Sequence, residues 1–460
     1  MNEQIKKFGT GDGPNYPSYQ DIVRKDSTPV APLIALKANP PQPTDDIPLR
    51  HFTSQAYFDL EMERMWPRVW QFACREEHVP EVGDYYVHDI GLYSIIVVRT
   101  EDGLRGYHNS CLHRGTKLKP SGTSGWSAEL QCPYHGWSWN LDGTLNEVPC
   151  SWEFKHLDYA ANRLPQVKVE AWNSFVFINM DEDAAPLATY LEVIPDHFAK
   201  RDFSNWYTFL HIRKELNCNW KVAMEAFMEA YHTPMVHPEL TQVVSDWNLQ
   251  HDIFGDNVSR DLSAMGVTSP TARPKTQQEL MDSMFVADPK TARGDGRKIV
   301  PEGKTARIVM AETMRQRFAE NYGMDLSDMS DAEVIDSLKY NIFPNVMLNA
   351  GVMSPQIALF WPVGNDPHRC VMETLRMRPF RPEDGRPDPA EPVTLREEDS
   401  FASVPGLDPF VASVLDQDTS IMRWQQEGMR ASRKGKATFS DYQESRIRRL
   451  HETLVKYIGE

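Results

Sequence analysis

Long apolar runs are missing from this sequence. Stretches such as Ile95-Ile96-Val97-Val98 fall far short of the roughly 20 residues a membrane-spanning helix needs, so no membrane segment is expected. The opening Met1-Asn2-Glu3-Gln4-Ile5-Lys6-Lys7 lacks the apolar core of a secretory signal, and a cytoplasmic location is expected. Cysteine is scarce: six in 460 residues cannot form a disulfide scaffold. Cys74, Cys150, Cys218 and Cys370 stand alone and read as small buried hydrophobes. Basic residues are outnumbered 49 to 65, a net charge of -16 that would repel a nucleic-acid backbone or an anionic membrane, so neither is an expected partner. What remains, 41% hydrophobic and 25% charged positions, suits a globular chain long enough for two or three domains.

Residues 1–48 are polar and proline-rich, ending in Asn39-Pro40-Pro41-Gln42-Pro43, and read as an extended arm. A short helix is expected over about 50–66. Short β-prone runs follow at Tyr85–Val87, Tyr93–Arg99, Leu104–His108 and Glu129–Gln131, with a hairpin turn at Asn140–Thr144, which makes 49–165 a small all-β domain. Residues 166–460 form a second, mixed domain. It has a buried strand at Phe175–Asn179, further strands at Val346–Asn349 and Gln356–Trp361, and a helix over 219–232 that Pro234 ends. Two helices close the chain, at about 408–431 and 440–458. The charged, Pro- and Gly-containing segment 251–310 reads as an insertion or lid.

Two groups of residues carry chemistry. Cys111-Leu112-His113-Arg114-Gly115 and Cys132-Pro133-Tyr134-His135-Gly136-Trp137 give C-x-H, 18 residues, then C-x2-H. Two thiolates and two imidazoles on two loops suit either a tetrahedral zinc or a two-iron, two-sulfur cluster. In the second group, Glu229 and His232 are three apart and share a helix face, while a break at Pro234 lets His237 fold back toward His232. Two imidazoles near a carboxylate suit a non-haem Fe(II) site of the two-His, one-carboxylate kind. Near the C-terminus, Asp416, Asp418 and Glu427 are equal candidates for the third ligand.

The His-Arg-Gly and Cys-Pro-x-His-Gly-Trp contexts resemble the Rieske ferredoxin module, in which one iron takes both cysteines and the other both histidines. Thr116 and Tyr134 stand where respiratory Rieske proteins have a bracing disulfide. Trp137 replaces their cluster-bonding serine, which implies a lower-potential, oxygenase-type centre. Over about residues 50–450 the chain resembles the Rieske non-haem iron oxygenase α subunit (aromatic-ring-hydroxylating oxygenases), including Trp66-Pro67-x-Val69-Trp70 and Ile342-Phe343-Pro344-Asn345. Alignment on Gln426 and Gly428 selects Asp418 as the third iron ligand. Many ring-dihydroxylating members have aspartate at the position of Glu229; choline- and carnitine-type monooxygenases share the glutamate.

The resemblance implies an α+β protein: an all-β Rieske [2Fe-2S] domain with Cys111, His113, Cys132 and His135, then a catalytic domain with an antiparallel sheet (helix-grip, START-like) holding Fe(II) on His232, His237 and Asp418. It also implies a homotrimer (α3, with α3β3 as the alternative) in which His135 of one subunit hydrogen-bonds Glu229 of the next, an electron bridge. Electrons would come from NAD(P)H through a flavin reductase, directly or by way of a ferredoxin. O2 would hydroxylate an apolar or aromatic small molecule, as in aromatic hydrocarbon catabolism, or dealkylate it at N or O. The alternatives are cis-dihydroxylation and a non-catalytic Rieske electron carrier. Phe227, Met228, Met235, Leu240, Val346 and Phe360 are candidates for the substrate pocket.

Overall fold

The structure, a computed structural model, describes residues 16–284, 298–353 and 355–459. Residues 1–15 of the arm and 285–297 of the lid segment lie outside the described residues.

The first sheet is antiparallel and seven-stranded, in the order Gln71–Arg75, Phe175–Asn179, Gln166–Trp172, Gly103–His108, Tyr93–Thr100, Asp84–Ile90 and Ser124–Trp126. Two-residue links at 91–92 and 101–102 join its three central strands as hairpins. The apolar run Ile95–Val98 is buried on both faces, and each face has its own core. Ile95 and Val97 pack with Cys74, Val176 and Ile178. Ile96 and Val98 pack with Tyr107, Cys111, Cys132, Trp137 and Trp139, so the sheet directly supports the two Cys/His loops. A three-stranded sheet, Leu130–Gln131, Ser138–Trp139 and Leu145–Glu147, carries the second loop.

The expected boundary at residue 165 is crossed: Gln166–Trp172 and Phe175–Asn179 join the first sheet instead of the second domain. Periodicity shows that a strand exists but not which edge it pairs with.

The second sheet has eight strands, in the order Gln250–Ile253, Val258–Ser263, Ser337–Ile342, Val346–Asn349, Gln356–Val363, Asp366–Pro379, Trp206–Leu216 and Pro392–Leu395. All its pairings are antiparallel except the last, which is parallel. Helices Trp220–Glu225, Pro409–Ala431 and Ser445–Ile458 flank it, and the whole is α+β. Among the described residues, no helix is long and apolar enough to cross a membrane.

Three expectations need correction. First, the start of the 251–310 segment is no lid, because Val258–Ser263 is wholly buried within the sheet. Its charges misled because they are paired internally: Arg260 with Asp252 (2.6 Å) and Arg446 with Asp261. Secondly, residues 16–48 include helices Tyr19–Val23 and Pro32–Ala35 and lie against the second domain. Tyr19, Val23 and Ile34 are buried anchors, too few to show a period. Thirdly, Cys150 is exposed; Cys74, Cys218 and Cys370 are buried.

The arm is fastened by charge as well. Arg307 bonds Asp26 (2.7 Å) and Asp336 (2.6 Å), all three buried, and the Tyr19 hydroxyl donates to Asp336 (3.0 Å). Arg307→Ala would strand two buried carboxylates and is expected to destabilise the protein by about 3–5 kcal/mol. Urea unfolding checks this, and an unchanged midpoint would show that the arm contributes no stability through this cluster.

Candidate metal centres

The two Cys/His loops repeat one backbone pattern. Cys111 N–H donates to the Thr116 carbonyl and Gly115 N–H to the Cys111 carbonyl, each at 2.8 Å. Cys132 N–H donates to the Trp137 carbonyl (2.8 Å) and Gly136 N–H to the Cys132 carbonyl (3.1 Å). Gly115 and Gly136 have φ of +81° and +76°, a left-handed turn that a side chain would strain. Asn109, which sequence reasoning missed, closes the first loop: its Oδ1 accepts from Leu118 and Lys119 N–H (both 2.9 Å), and its Nδ2 donates to the Lys119 carbonyl (2.7 Å).

These turns bring Cys111 and Cys132 into one buried cluster, where each thiol affects the other's ionisation and the backbone N–H of His113 favours the Cys111 thiolate. Burial first, and Cys132 second, push the Cys111 thiol's pKa up. The His113 and His135 rings pair at 4.7 Å, with Trp137 stacked on His113 (5.0 Å, 6°). Sulfur is thus paired with sulfur and imidazole with imidazole. That fits a two-metal cluster better than one tetrahedral ion, around which four ligand atoms must converge on a point. His113 Nδ1 is buried without a hydrogen-bond partner, as suits an atom that ligates a metal. His135 is exposed, with the exposed Tyr134 ring 3.7 Å from its own.

In the second domain the helix expected over 219–232 stops at Glu225. Pro234 does not end it; Pro234 sits near the start of a new helix, Thr233–Val236, where a missing N–H costs nothing. Glu229 therefore lies between helices and reaches His232 through a turn. Its Oε2 accepts from the Tyr231 and His232 backbone N–H groups, and its Oε1 contacts His232 Nδ1.

Asp418 comes from the helix Pro409–Ala431, which Asp408 caps by accepting from the N–H groups of Phe410 and Val411. The buried stripe Ala412, Asp418, Thr419, Met422 and Gln426 faces inward. Asp418 Oδ1 lies 2.7 Å from His237 Nε2 and 3.5 Å from His232 Nε2. The three residues each offer one ligand atom, all within 4.8 Å of one another. Asp416 instead accepts from the Ser400 hydroxyl and the Phe401 N–H, and Glu427 pairs with Arg423 on the surface.

Gln417, also missed, fixes the second imidazole: its Oε1 lies 2.7 Å from His237 Nδ1. With acceptors at both Nδ1 atoms, each ring keeps a proton there, so Nε2, which faces Asp418, is the nitrogen left to bind a metal once it gives up its own proton, the tautomer metal binding requires. Burial pulls the His232 pKa down, but its bonds to Asp418 and Glu229 outweigh that and raise it to about 9. Burial pushes the Asp418 carboxyl up, yet the two imidazoles hold it below the usual carboxylate range.

A hollow of about 110 Å³ beside these residues is lined by Glu225, Glu229, His232, Asp418, Ile421 and Glu444, among others. None of the six expected pocket residues lines it. Met228, Val346 and Phe360 are core, Phe227 pairs with the Phe360 ring at 5.5 Å, Leu240 begins a short 3₁₀ turn, and Met235 is exposed.

Comparison with known proteins matches residues 69–165 to the Rieske [2Fe-2S] domain and residues 203–460 to the ring hydroxylating alpha subunit (catalytic domain). The glycine betaine monooxygenase oxygenase subunit of Pseudomonas aeruginosa is 27% identical over 207 residues, 44% of this chain and 47% of that one. Benzene 1,2-dioxygenase subunit alpha of Pseudomonas putida is 33% identical over 190 residues, 40% and 42% of the two chains. The chain thus spans about half the length of these curated relatives. The crystal structure of a quaternary ammonium Rieske monooxygenase with L-carnitine shares the fold, with a TM-score of 0.62, 18% identity and coverage of 90% of this chain and 95% of that one. With its catalytic-domain match covering more than half of its length, behind a Rieske [2Fe-2S] domain, the chain belongs to the ring-hydroxylating α-subunit family of Rieske non-haem iron oxygenases.

Proposed function

We propose that the protein is the terminal oxygenase of a multicomponent Rieske system, using O2 and NAD(P)H-derived electrons to hydroxylate a small organic molecule, with N- or O-dealkylation where the hydroxylated carbon bears a heteroatom. One observation carries this reading: His232, His237 and Asp418 converge within 4.8 Å, in a domain separate from the paired thiols and imidazoles. Iron in these two places would supply electron storage at the cluster and O2 activation at open positions of the mononuclear site. The chain's own residues do the rest. Gln417 and Glu229 hold the two imidazoles in their metal-binding tautomer, and Asp418 supplies the single carboxylate that leaves positions open.

In this reading, Cys111, His113, Cys132 and His135 hold the cluster. Exposed His135 delivers electrons to Glu229 of a neighbouring subunit in a head-to-tail trimer. Exposed Tyr134 against the His135 ring, and exposed Tyr231 beside Glu229, support such a contact. A flavin reductase, with or without a ferredoxin, is the electron source. Relatives named for glycine betaine and carnitine favour monooxygenation, as does Glu229. The relative named benzene 1,2-dioxygenase keeps cis-dihydroxylation as the second reading.

The test is turnover of the iron-loaded, reductase-coupled protein under 18O2 with panels of quaternary ammonium and aromatic substrates. One labelled oxygen per product supports the main reading and two the second. Fully reducible centres with no label in any product would leave an electron carrier.

A further inference from the structure

Hydroxylation as proposed consumes protons: RH, O2, two electrons and two protons give ROH and water. One buried series of titratable side chains ends at the hollow beside the metal site. His51 Nδ1 lies 3.2 Å from His451 Nδ1, and His451 Nε2 lies 2.8 Å from Glu225 Oε1. Glu225 Oε2 is buried with no partner, and Glu225 lines the hollow that His232 and Asp418 also line. His451 and Glu225 are 3% exposed and His51 5%, and His51 follows exposed Arg50 in the chain.

We propose that His51, His451 and Glu225 form a proton relay from the surface to the hollow beside the His232–His237–Asp418 group. The inference rests on the oxygenase reading for its purpose, though not for its geometry.

The contacts allow one assignment of donors and acceptors that runs inward. Two neutral imidazoles meeting Nδ1 to Nδ1 need one donor and one acceptor. If His51 Nδ1–H donates to His451 Nδ1, then His451 carries its proton on Nε2 and donates it to Glu225 Oε1. Glu225 then has Oε2, the oxygen without a partner, for a proton of its own. The local electrostatics agree. Burial holds both imidazoles neutral, His51 at about 2 and His451 at about 3. Burial also pushes the Glu225 carboxyl well above its usual range, despite nearby Lys221, whose charge is engaged by Glu61. The other ionisable groups around the hollow are Glu229, His232, Asp418 and Glu444.

A transfer balances as follows. Glu225 releases the Oε2 proton to a water in the hollow while Oε1 takes the proton from His451 Nε2. His451 Nδ1 takes the proton from His51 Nδ1, and His51 is reprotonated from solvent. Rotation of the carboxyl and reversal of the two tautomers reset the chain.

The relay can be read without turnover, on the full metal-loaded protein, by infrared spectroscopy at neutral pH. The expected result is a protonated-carboxyl band that disappears in Glu225→Gln and survives in Glu61→Gln. On mixing with D2O, that band should shift at least about tenfold more slowly in His451→Phe than in the native protein. His51→Phe, a substitution nearer the surface, gives a second break in the chain if His451→Phe does not fold. Absence of the band, or exchange as fast in both Phe variants as in the native protein, would overturn the relay. The relay and the oxygenase reading fail separately. A slowed band in a protein that incorporates no 18O keeps the relay and sinks the oxygenase, and labelled product with unaltered exchange does the reverse.

Discussion

Alanine in place of Asp418 is expected to lower the iron content from about three to about two atoms per chain, with the two acid-labile sulfides of one cluster retained. The Rieske-type EPR signal of the dithionite-reduced protein should be unchanged, because the Cys/His loops stand on a different sheet with its own core. Asp418 is the residue on which both Nε2 atoms converge, at 2.7 and 3.5 Å. Without it, two imidazoles remain with no anionic ligand, in a buried place where a divalent cation needs compensating charge. Product formation should fall by about a thousandfold or more, beyond the 10–100-fold typical when only a supporting contact is lost. The same substitution at Asp416, which bonds Ser400 and Phe401 on another side of the helix, should leave the iron count at about three. Iron unchanged in Asp418→Ala, or lost in Asp416→Ala, would move the third ligand elsewhere.

The Cys/His loops were legible in the sequence because everything that builds them is local: each cysteine, its histidine and the glycine that turns the chain lie within five residues. The iron group was legible only in part. His232 and His237 are neighbours in the chain, but Asp418 is 181 residues from His237, and three acidic residues on its helix looked alike until a family resemblance set the register. Gln417 and Glu225 were hidden for a related reason: nothing marks a polar residue as the partner of a particular distant imidazole. The early end of the helix at Glu225 was unreadable too, since 219–232 holds no Gly or Pro. The helix gives way where the Phe227 and Met228 N–H groups bond only three residues back, to Met224 and Glu225, and the Glu229 carboxylate then takes the Tyr231 and His232 N–H groups before the next helix begins. The buried ion pairs misled most, because Arg260, Asp261 and Asp252 look solvent-facing until their partners are known.

Glutamine in place of Glu229 is expected to leave both metal centres loaded and yet slow electron transfer between them by about a hundredfold. The amide oxygen can still accept from the Tyr231 and His232 N–H groups, so the turn that positions His232 survives, and iron stays near three per chain. What changes is charge. The carboxylate that accepts from His232 Nδ1 strengthens that imidazole as a ligand and, in the proposed trimer, would take a second hydrogen bond from a neighbour's His135; a neutral amide would do both less well. The measurement is a single turnover: reduced protein is mixed with substrate and O2, and the loss of the cluster's EPR signal is timed. Slow cluster oxidation with full iron assigns Glu229 to the electron path. Fast oxidation would confine it to shaping the turn, and loss of iron would make it part of the metal's ligand set. Glu229→Asp separates charge from reach, because it restores the carboxylate on a side chain one methylene shorter. If charge dominates, its rate should lie nearer the native protein; if contact across subunits dominates, it should be as slow as the glutamine variant.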